Sequence, residues 1–506
     1  MVRPIGLAMV LVVVGGGCSE DLKFNLIVYD SCAQFPLQNS QLSTLEVLVE
    51  SPQLGQPVRQ VFDFQSRRGD VDGVQPVDDA VVSVLARSGN AQVLAASSVG
   101  IVDLSGTDGR DTVQVSVVIG DVDTFISTTN SDLANQCTEQ VVPRRGHTAS
   151  RLPDGRVLIV GGSDTELDTV RLWTTAEIYN PRTGIFAPGP EIRNGREGHT
   201  GTVLESGDVL IAGGESGDTV GTLRAAQVYS AGSNTFGSSI TMQESRAYHT
   251  ATRLGDGRVL LIGGVVREVG GALRYLSTTE FYDPATGLTT PGPILPMPRA
   301  FHAAVPIGPN TVAVIGGLNT GGFVPIVEFV NPAGVISGPR LNLPRSHAMA
   351  AVIEGRDAVL VAGGFETVPT DPTRPEADGG TDSYEVIGLD TVNLAGSLPL
   401  CPTSRLGTAR GHGALAPIPG GFLVSGGVIA ANEATAGAER LIFTGVDDLC
   451  MAGSGPTVGL MRIGRAGHRL TPLLGGDLLV TGGYAPDGQP VAGSVQASET
   501  YIVQRP

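Results

Sequence analysis

A short pattern that recurs seven times between residues 144 and 483 constrains the fold more than any other feature of the sequence. Each copy has an arginine, a histidine two or three residues later, and a glycine pair after the histidine. The histidines are His147, His199, His249, His302, His347, His412 and His468. The arginines are Arg144, Arg196, Arg246, Arg299, Arg345, Arg410 and Arg465. The histidines lie 45 to 65 residues apart, a spacing typical of repeat architectures in which each copy is one supersecondary unit.

All copies but the last also carry signals for four strands. Small residues such as Thr148 and Ala149 follow the histidine, as expected of an innermost strand near a crowded axis. The dipeptide Asp154-Gly155 predicts a tight hairpin into an apolar strand at Val157 to Val160, which the glycine pair ends. A loop, a Glu-x-Tyr strand, an Asn-Pro turn and a fourth strand complete the unit. Seven such units predict an all-β chain with a seven-bladed β-propeller.

The fullest copies read RRGHTASRLPDGRVLIVGG followed by AEIYNPRTGIF, and RAYHTATRLGDGRVLLIGG followed by TEFYDPATG. These segments resemble bacterial kelch repeats, and the resemblance covers residues 144 to 506. Galactose oxidase shares the kelch propeller, so the resemblance also raises a copper oxidase, whose metal uses histidine and tyrosine ligands. Since every histidine of this chain already belongs to the repeat, the resemblance implies the fold and not the activity. The sequence predicts no catalytic residue, no metal site and no cofactor, and a carbohydrate-active or galactose-oxidase-like enzyme stays the alternative.

The seventh copy is incomplete, because the chain ends after its third strand at Glu499 to Val503. The segment from about Leu133 to Val142 stands directly before the first copy, where a fourth strand would be. We expect it to complete blade seven, which places the propeller at residues 133–506.

Residues 19–132 differ in kind from the repeats. Apolar or alternating segments at Leu45 to Val49, Val81 to Leu85 and Val113 to Ile119 predict a small β-sandwich-like domain. Its aspartates around Asp70 to Asp79 break the spacing of an EF-hand calcium loop and lack the closing glutamate.

The first eighteen residues predict export. Arg3 precedes an apolar run from Ile5 to Val14, which is too short to span a membrane and is typical of a signal peptide. Small residues before Cys18 resemble the lipobox of bacterial lipoproteins, which implies lipidation of Cys18 and, with Ser19 next, an outer-membrane location. Ordinary secretion is the alternative.

Lipidation of Cys18 leaves an even set of cysteines in an oxidising compartment. Chain order favours the disulfides Cys32 with Cys137 and Cys401 with Cys450. Metal ligation is the other possibility for these cysteines, but no pair has the C-x-x-C spacing of a zinc site.

The repeated polar residues predict a scaffold. Seven histidines in one recurring context favour seven equivalent hydrogen bonds over one catalytic or metal-binding histidine. We expect the repeated arginines to pair with the acidic or amide residues of the third strands, which are Glu177, Gln227, Glu280, Glu328, Glu385, Glu439 and Glu499.

Length varies most between the glycine pair and the third strand, from 11 to 21 residues, and these loops leave the blades on one face. The longest loop, Phe365 to Thr381, is a candidate lid for the channel mouth or a disordered loop. The loops carry arginine and aromatic residues that are either exposed binding anchors or packed against neighbouring loops. These candidates are Arg171, Trp173, Arg274, Tyr275, Phe323, Phe365 and Tyr484.

A net charge of -17 opposes a nucleic-acid partner. The sequence therefore favours an exported, lipid-anchored envelope protein whose propeller binds a protein or a glycan, with the lipid as its membrane contact. A purely structural envelope component is a further alternative.

Overall fold

Strands make up most of the regular structure in the computed structural model. The described residues are 22–30, 41–66, 68–75, 77–90, 92–102, 104, 113–128, 137–166, 169–217, 221–375, 378–390, 392–443, 453–454, 458–485 and 493–503. Short 3-10 turns lie at Phe64–Ser66 and Leu394–Gly396. Within these ranges no helix has the length and apolarity needed to cross a bilayer.

The N-terminal strands form one hydrogen-bonded path in the order β3-β2-β5-β6-β7-β1-β4. They are β1 (Leu22–Asp30), β2 (Leu42–Glu50), β3 (Val58–Asp63), β4 (Arg68–Val74), β5 (Ala80–Ser88), β6 (Val93–Val102) and β7 (Val113–Asp121). Strands β1 and β7 run parallel, and the other neighbours run antiparallel. Alternate side chains of β2 and β5, such as Val47 and Val82, are fully buried in one shared core. The three strands predicted for this region lie within β2, β5 and β7.

Each of the seven sequence repeats, numbered by its arginine from Arg144 to Arg465, forms its own antiparallel sheet. The strands of repeats 1 to 3 are β9 (Thr148–Arg151), β10 (Val157–Val160), β11 (Ser163–Glu166), β12 (Thr169–Leu172), β13 (Thr175–Asn180), β14 (Ile185–Glu191), β15 (Thr200–Val203), β16 (Val209–Ala212), β17 (Ala225–Ser230), β18 (Thr235–Phe236), β19 (Ile240–Thr241), β20 (Thr250–Arg253), β21 (Val259–Ile262), β22 (Val265–Arg267), β23 (Leu273–Tyr275), β24 (Thr279–Asp283) and β25 (Leu288–Pro291). Those of repeats 4 and 5 are β26 (Ala303–Pro306), β27 (Val312–Ile315), β28 (Leu318–Asn319), β29 (Gly322–Phe323), β30 (Ile326–Asn331), β31 (Gly334–Arg340), β32 (Met349–Val352), β33 (Ala358–Ala362), β34 (Ser383–Gly388) and β35 (Leu398–Arg405). Those of repeats 6 and 7 are β36 (Ala414–Ile418), β37 (Gly421–Ser425), β38 (Val428–Ala430), β39 (Glu433–Ala434), β40 (Ala438–Ile442), β41 (Gly453–Ser454), β42 (Arg469–Pro472), β43 (Leu478–Thr481), β44 (Tyr484–Ala485), β45 (Gly493–Ser494) and β46 (Glu499–Tyr501).

The sheet order in each repeat is that of a meander. In repeat 1 it is β9-β10-β13-β14, with β11 and β12 forming a separate hairpin in the loop between the second and third strands. Repeats 3, 4, 6 and 7 have the same extra hairpin. In repeat 2 the fourth strand is split into β18 and β19, which both pair with β17.

The apolar core lies between neighbouring sheets. All four residues of β10 are buried, because both faces of the strand are covered. Leu158 and Val160 pack against repeat 2, whereas Val157 and Ile159 pack against repeat 7. Equivalent clusters join each of the other neighbouring pairs of repeats. The first strands also contact one another in sequence, and β42 of the last repeat contacts β9 of the first. The sheets therefore form a closed ring around a central channel, which is the propeller-type fold.

The strand that completes the seventh sheet is not the predicted one. Residues Phe125–Ser127 form β8, which pairs with β46 through Phe125–Tyr501, Ile126–Thr500 and Ser127–Glu499. The predicted segment from Leu133 to Val142 lies partly outside the described residues, and its described part from Cys137 onward forms no strand. The reason is a short turn after β7 with Asp123 in the left-handed region, which brings the chain straight to the edge of the seventh sheet.

The same turn fixes the N-terminal sheet to the ring. The Tyr501 hydroxyl donates to Asp123 Oδ1 at 2.9 Å, and Arg440 forms an ion pair with the other carboxylate oxygen at 2.6 Å. Ile126 and Ile502 are buried against side chains of β5 and β6. The N-terminal region thus contributes both the closing strand and apolar contacts to the last repeat.

Candidate functional site

The repeated arginines join the end of the second strand to the start of the third strand in every sheet. In all seven repeats one Nη1 atom donates both to the carbonyl oxygen of the first glycine of the pair and to a carbonyl oxygen at the start of the third strand. For Arg246 these distances are 2.7 Å to Gly263 and 3.2 Å to Thr278. Each guanidinium is almost fully buried. In five repeats the third-strand carbonyl oxygen also accepts from the N–H of the first glycine, as in Gly263 to Thr278 at 3.1 Å, so the arginine reinforces an existing backbone contact and is a structural part of the repeat.

The expected arginine–glutamate pairs are present in six repeats. They are Arg144–Glu177, Arg246–Glu280, Arg299–Glu328, Arg345–Glu385, Arg410–Glu439 and Arg465–Glu499. Repeat 2 has Gln227 in place of the glutamate, and burial without a nearby carboxylate lowers the pKa of Arg196 to about 10. Repeat 2 is thus the copy in which the buried charge is least compensated.

The glycine pair permits two neighbouring repeats to meet. The second glycine of each pair donates its N–H to the carbonyl oxygen of the next repeat's arginine, from Gly162 to Arg196 at 2.8 Å through to Gly483 to Arg144 at 3.0 Å. A Cβ at Gly161 would lie 2.8 Å from the Arg196 carbonyl oxygen, which no side chain tolerates. The pair also has positive φ angles, so glycine is required on two grounds.

Five of the histidines form the predicted scaffold hydrogen bond. Nε2 of His199, His249 and His302 contacts the hydroxyl of a threonine in the preceding repeat, at 3.1, 3.1 and 2.9 Å. His147 and His468 instead contact Thr481 and Ser425, which end the second strand of the preceding repeat. Burial lowers the pKa of all five imidazoles, and that of His302 falls to about 3.

The prediction that all seven histidines share one position is wrong. His347 and His412 follow their arginines by two residues and not three, which places them one position earlier on the backbone. That position has a positive φ of 52° to 64° in every repeat, and it holds Gly146, Gly198, Tyr248, Phe301, His347, His412 and Gly467. The arginine-to-histidine spacing was visible in the sequence, and it is the signal that separates these two histidines from the other five.

The positive-φ residues form a ring at one end of the central channel, which we call the mouth ring. Backbone N–H groups of the ring donate to the carbonyl oxygen of the previous member, as in Tyr248 to Gly198 at 2.8 Å and His347 to Phe301 at 2.9 Å. The ring has two unlike halves. Repeats 3 to 6 carry large rings, which we call the filled half, and repeats 7, 1 and 2 carry glycine, which we call the open half.

Aromatic contacts run through the filled half. The ring centroids of Tyr248 and Phe301 are 4.9 Å apart, those of Phe301 and His347 are stacked at 4.8 Å, and those of His347 and His412 meet edge-on at 5.3 Å. Phe365 covers His347 from the adjacent loop at 5.6 Å. A continuous row of contacting rings therefore lines this side of the channel mouth.

A polar cleft of about 640 Å³ lies over the open half. We call it the mouth cleft, and its side chains come from the second-to-third-strand loops of repeats 1, 2, 3 and 5 and from the start of repeat 2. The residues that line it are Val170, Leu172, Glu197, Glu215, Gly217, Gly221, Arg267, Gly271, Asp371, Thr373 and Arg374. Glycine in the mouth ring makes room here, since a Cβ at Gly146 would lie 3.2 Å from Glu197 Cβ.

Charges of both signs face each other in the mouth cleft. Arg267 binds Glu215 through Nε and Nη2, with the shortest contact at 3.0 Å. Burial raises the pKa of Glu215 even though Arg267 opposes the shift. Burial alone would lower the pKa of Arg267, but its hydrogen bonds and charge contact with Glu215 raise it. Such groups suit a ligand with both hydrogen-bond donors and acceptors.

The longest loop crosses the channel mouth. Arg374 from repeat 5 reaches Glu197 of repeat 2 at 3.4 Å, and His347 Nε2 contacts the Pro372 carbonyl oxygen at 3.0 Å. We call Asp371 to Arg374 the roof segment, since it lies between the filled half and the mouth cleft. Fully buried Phe365 anchors one end of the loop, and the Thr381 N–H donates to Gly364 at the other.

The predicted loop residues pack against neighbours and are not exposed aromatic anchors. Trp173 is buried, its indole donates to the Pro143 carbonyl oxygen at 2.9 Å, and Arg171 lies over its ring at 3.9 Å. Tyr275 and Phe323 are half-buried in a loop cluster, and Tyr484 is half-buried below Arg145. Exposed Arg274 forms ion pairs with Glu244 and Glu268. Sequence reasoning instead missed Glu197, Glu215, Arg267 and Arg374, because no pattern marks them.

The cysteine predictions fall mostly outside the described residues. Cys137 is disulfide-bonded. Its predicted partner Cys32 lies outside the described residues, as do Cys18 and Cys450, and only the backbone of Cys401 is described, within β35. Both pairings stay predictions.

A copper centre of the galactose-oxidase kind does not fit the channel mouth. Both ring nitrogens of His347 are hydrogen-bonded to protein, Nδ1 to Ser346 and Nε2 to Pro372. In the part of the chain that the structure describes, no three His, Cys, Asp or Glu side chains converge as a metal site would require. We therefore derive no step through copper.

Comparison with known proteins gives fold similarity alone. No family model matches the chain, and no curated protein matches it. A fungal alcohol oxidase of the AA5 family, solved in complex with copper, aligns with a TM-score of 0.54 at 13% identity over 71% of this chain and 74% of its own. The structure titled YjhT aligns with a TM-score of 0.43 at 12% identity over 71% of this chain and 96% of its own. The alignment with the alcohol oxidase shows a shared β-propeller-type fold and nothing of the chemistry.

Proposed function

We propose that this protein is a binding scaffold whose mouth cleft takes a polar ligand, either a glycan or a polar segment of a protein. The observation that carries the proposal is the mouth cleft itself, where loops of four repeats converge on about 640 Å³ under the roof segment. Loops held on a rigid ring are the usual carriers of recognition.

The lining of the mouth cleft favours hydroxyl-rich or mixed-charge ligands. Glu197, Glu215 and Asp371 offer acceptors, while Arg267 and Arg374 offer donors. The partly buried Arg267–Glu215 pair is oriented before a ligand arrives, so binding would cost little side-chain ordering.

The proposal includes the location and architecture that the sequence predicts. The ring is a seven-bladed kelch-type propeller preceded by a sandwich-like domain, and the protein is exported and lipid-anchored at Cys18 in the outer membrane. Its partners are then glycans or proteins of the cell envelope.

The test is direct binding with a matched pair of variants. The purified protein is applied to a glycan array and, after immobilisation, to solubilised envelope and secreted material. Arg374→Ala removes the contact between roof segment and repeat 2, and we expect at least a tenfold loss of affinity. Arg274→Ala removes an exposed arginine from the same face outside the mouth cleft, and we expect no change.

A shortened loop gives a second test. Removal of residues 367–379, with Phe365, Glu366 and Thr381 kept, deletes the roof segment and should abolish binding. Equal binding by the native protein, the Arg374→Ala variant and the shortened protein would exclude the mouth cleft. Turnover of sugars or stoichiometric copper in the purified protein would favour the enzyme alternative.

A further inference from the structure

One arginine in the central channel is not one of the seven repeated arginines and does not line the mouth cleft. Arg469 is the first residue of β42, and its cross-strand neighbour is Thr481. The same position in repeats 1, 2 and 3 holds a threonine, namely Thr148, Thr200 and Thr250. A long cationic side chain thus replaces a short hydroxyl on an innermost strand.

A hydroxyl on the neighbouring strand compensates for this replacement. The threonines of repeats 1 to 3 each bind the histidine of the next repeat, which Arg469 cannot do in their manner. Thr481 supplies the missing hydroxyl across the strand pair and contacts His147 Nε2 at 3.0 Å. Arg469 is therefore not needed for the scaffold hydrogen bond, and its guanidinium is left for another role.

The guanidinium lies close to the channel axis. Burial lowers the pKa values of His147, His199, His412 and His468, which come from repeats 1, 2, 6 and 7, and the charge of Arg469 lowers them further. Strand β42 is one of the first strands that contact one another around the channel, and Arg469 Nε reaches the His147 carbonyl oxygen of the neighbouring repeat. The low pKa values keep these imidazoles neutral, so they neither repel nor neutralise the arginine strongly.

Arg469 has one hydrogen bond to the described protein, from Nε to the His147 carbonyl oxygen at 3.0 Å. Among the described residues no carboxylate forms an ion pair with it, whereas six of the seven repeated arginines have such a partner. The side chain is partly exposed, so a small molecule in the channel can reach it. A desolvated charge without a counter-charge is costly, and a bound anion would remove that cost.

We propose that the central channel holds a small carboxylate ligand, bound through the free Nη edge of Arg469. The two Nη groups form a planar fork that matches the two oxygens of one carboxylate. A single negative charge balances the single positive charge of Arg469 beside neutral histidines. This site is separate from the mouth cleft and does not depend on the function proposed above.

The experiment uses the whole purified protein and sodium acetate as the probe, at constant ionic strength. Calorimetric titration should show saturable binding of one acetate, and saturating acetate should raise the Tm. Inorganic phosphate and chloride are titrated in parallel, and both should bind more weakly than acetate.

Two substitutions locate the site. Arg469→Thr introduces the residue that repeats 1 to 3 carry, and it should weaken acetate binding at least tenfold and abolish the Tm shift. Arg340→Thr removes an exposed arginine on β31 and should leave both unchanged. Arg469→Lys keeps the charge without the fork and should bind with intermediate affinity.

The proposal is overturned by any of three results. They are no saturable acetate binding to the native protein, undiminished binding by Arg469→Thr, or tighter binding of phosphate or chloride than of acetate. If Arg469→Thr does not fold, undiminished acetate binding by Arg469→Lys overturns the carboxylate fork.

Discussion

The two halves of the mouth ring share a backbone and differ in what they hold. In both halves the ring residue has a φ near 60°, and its N–H or carbonyl oxygen bonds to a neighbouring repeat. The filled half places four rings in contact, from Tyr248 to His412, whereas the open half has glycine, with Glu197 packed beside Gly146. One repeated backbone can thus build a wall of aromatic rings on one side of a channel and a charged cleft on the other.

The halves also differ in how a buried arginine is neutralised. In the filled half every repeated arginine forms an ion pair with a glutamate, while repeat 2 of the open half has Gln227 in place of the glutamate. This difference is confined to repeat 2, because repeats 1 and 7 of the open half keep the arginine–glutamate pair. Substitutions that give one half a residue of the other test whether these differences affect the stability of the protein.

The largest expected effect comes from copying the open half into the filled half. Glu280→Gln leaves buried Arg246 without its carboxylate, and we expect the free energy of unfolding to fall by roughly 3 kcal/mol. Urea unfolding measures this change. Glu268→Gln, which removes an exposed partner of Arg274, is the control and should change it by less than about 1 kcal/mol. Equal effects of the two substitutions would mean that burial of the pair does not matter.

Opening the filled half should have the next largest effect. Phe301→Gly deletes a ring that is 6% exposed, and glycine relieves the positive φ. The net loss of stability should be roughly 2–3 kcal/mol, since a cavity penalty outweighs the backbone relief. Thermal unfolding measures it, with Phe323→Gly in the half-buried loop cluster as the milder control. An unchanged Tm for Phe301→Gly would show that the stacked rings do not stabilise the channel mouth.

Acidification should destabilise the ring through its histidines. The pKa of His302 is about 3 and that of His347 about 4, both lowered by burial, so the folded protein keeps these imidazoles neutral while the unfolded chain protonates them near pH 6.5. Stability present above pH 6.5 is therefore lost as the pH falls, by roughly 1.4 kcal/mol per buried histidine between pH 7.5 and 5.5. Urea midpoints at the two pH values measure the loss. His302→Asn should reduce the pH dependence, and an identical dependence in that variant would contradict the assignment.

The sequence predicts the ring better than the site because the ring repeats. Asp154-Gly155, the apolar run of β10 and the glycine pair each report a local requirement, and seven copies make the signal unmistakable. The closing strand β8 was misplaced because its three residues carry no mark of their own and depend on the turn at Asp123. The mouth cleft was missed for a related reason. Glu197 and Arg374 are 177 residues apart and meet only because the loop of repeat 5 crosses the channel mouth.

The smallest expected effect comes from giving repeat 2 the residue found in the other repeats. Gln227→Glu places a carboxylate beside Arg196 but gives up the amide donor that contacts the Gly237 carbonyl oxygen at 2.9 Å. The new charge contact should outweigh that loss, raise the pKa of Arg196 above its present value of about 10, and stabilise the fold by about 1 kcal/mol. A double-mutant cycle with Arg196→Met isolates the pair, because Gln227→Glu should destabilise the protein once the arginine is gone. If Gln227→Glu destabilises the protein with Arg196 present as well, the glutamine is the better partner in this repeat, and the open half is built for a neutral residue at that position.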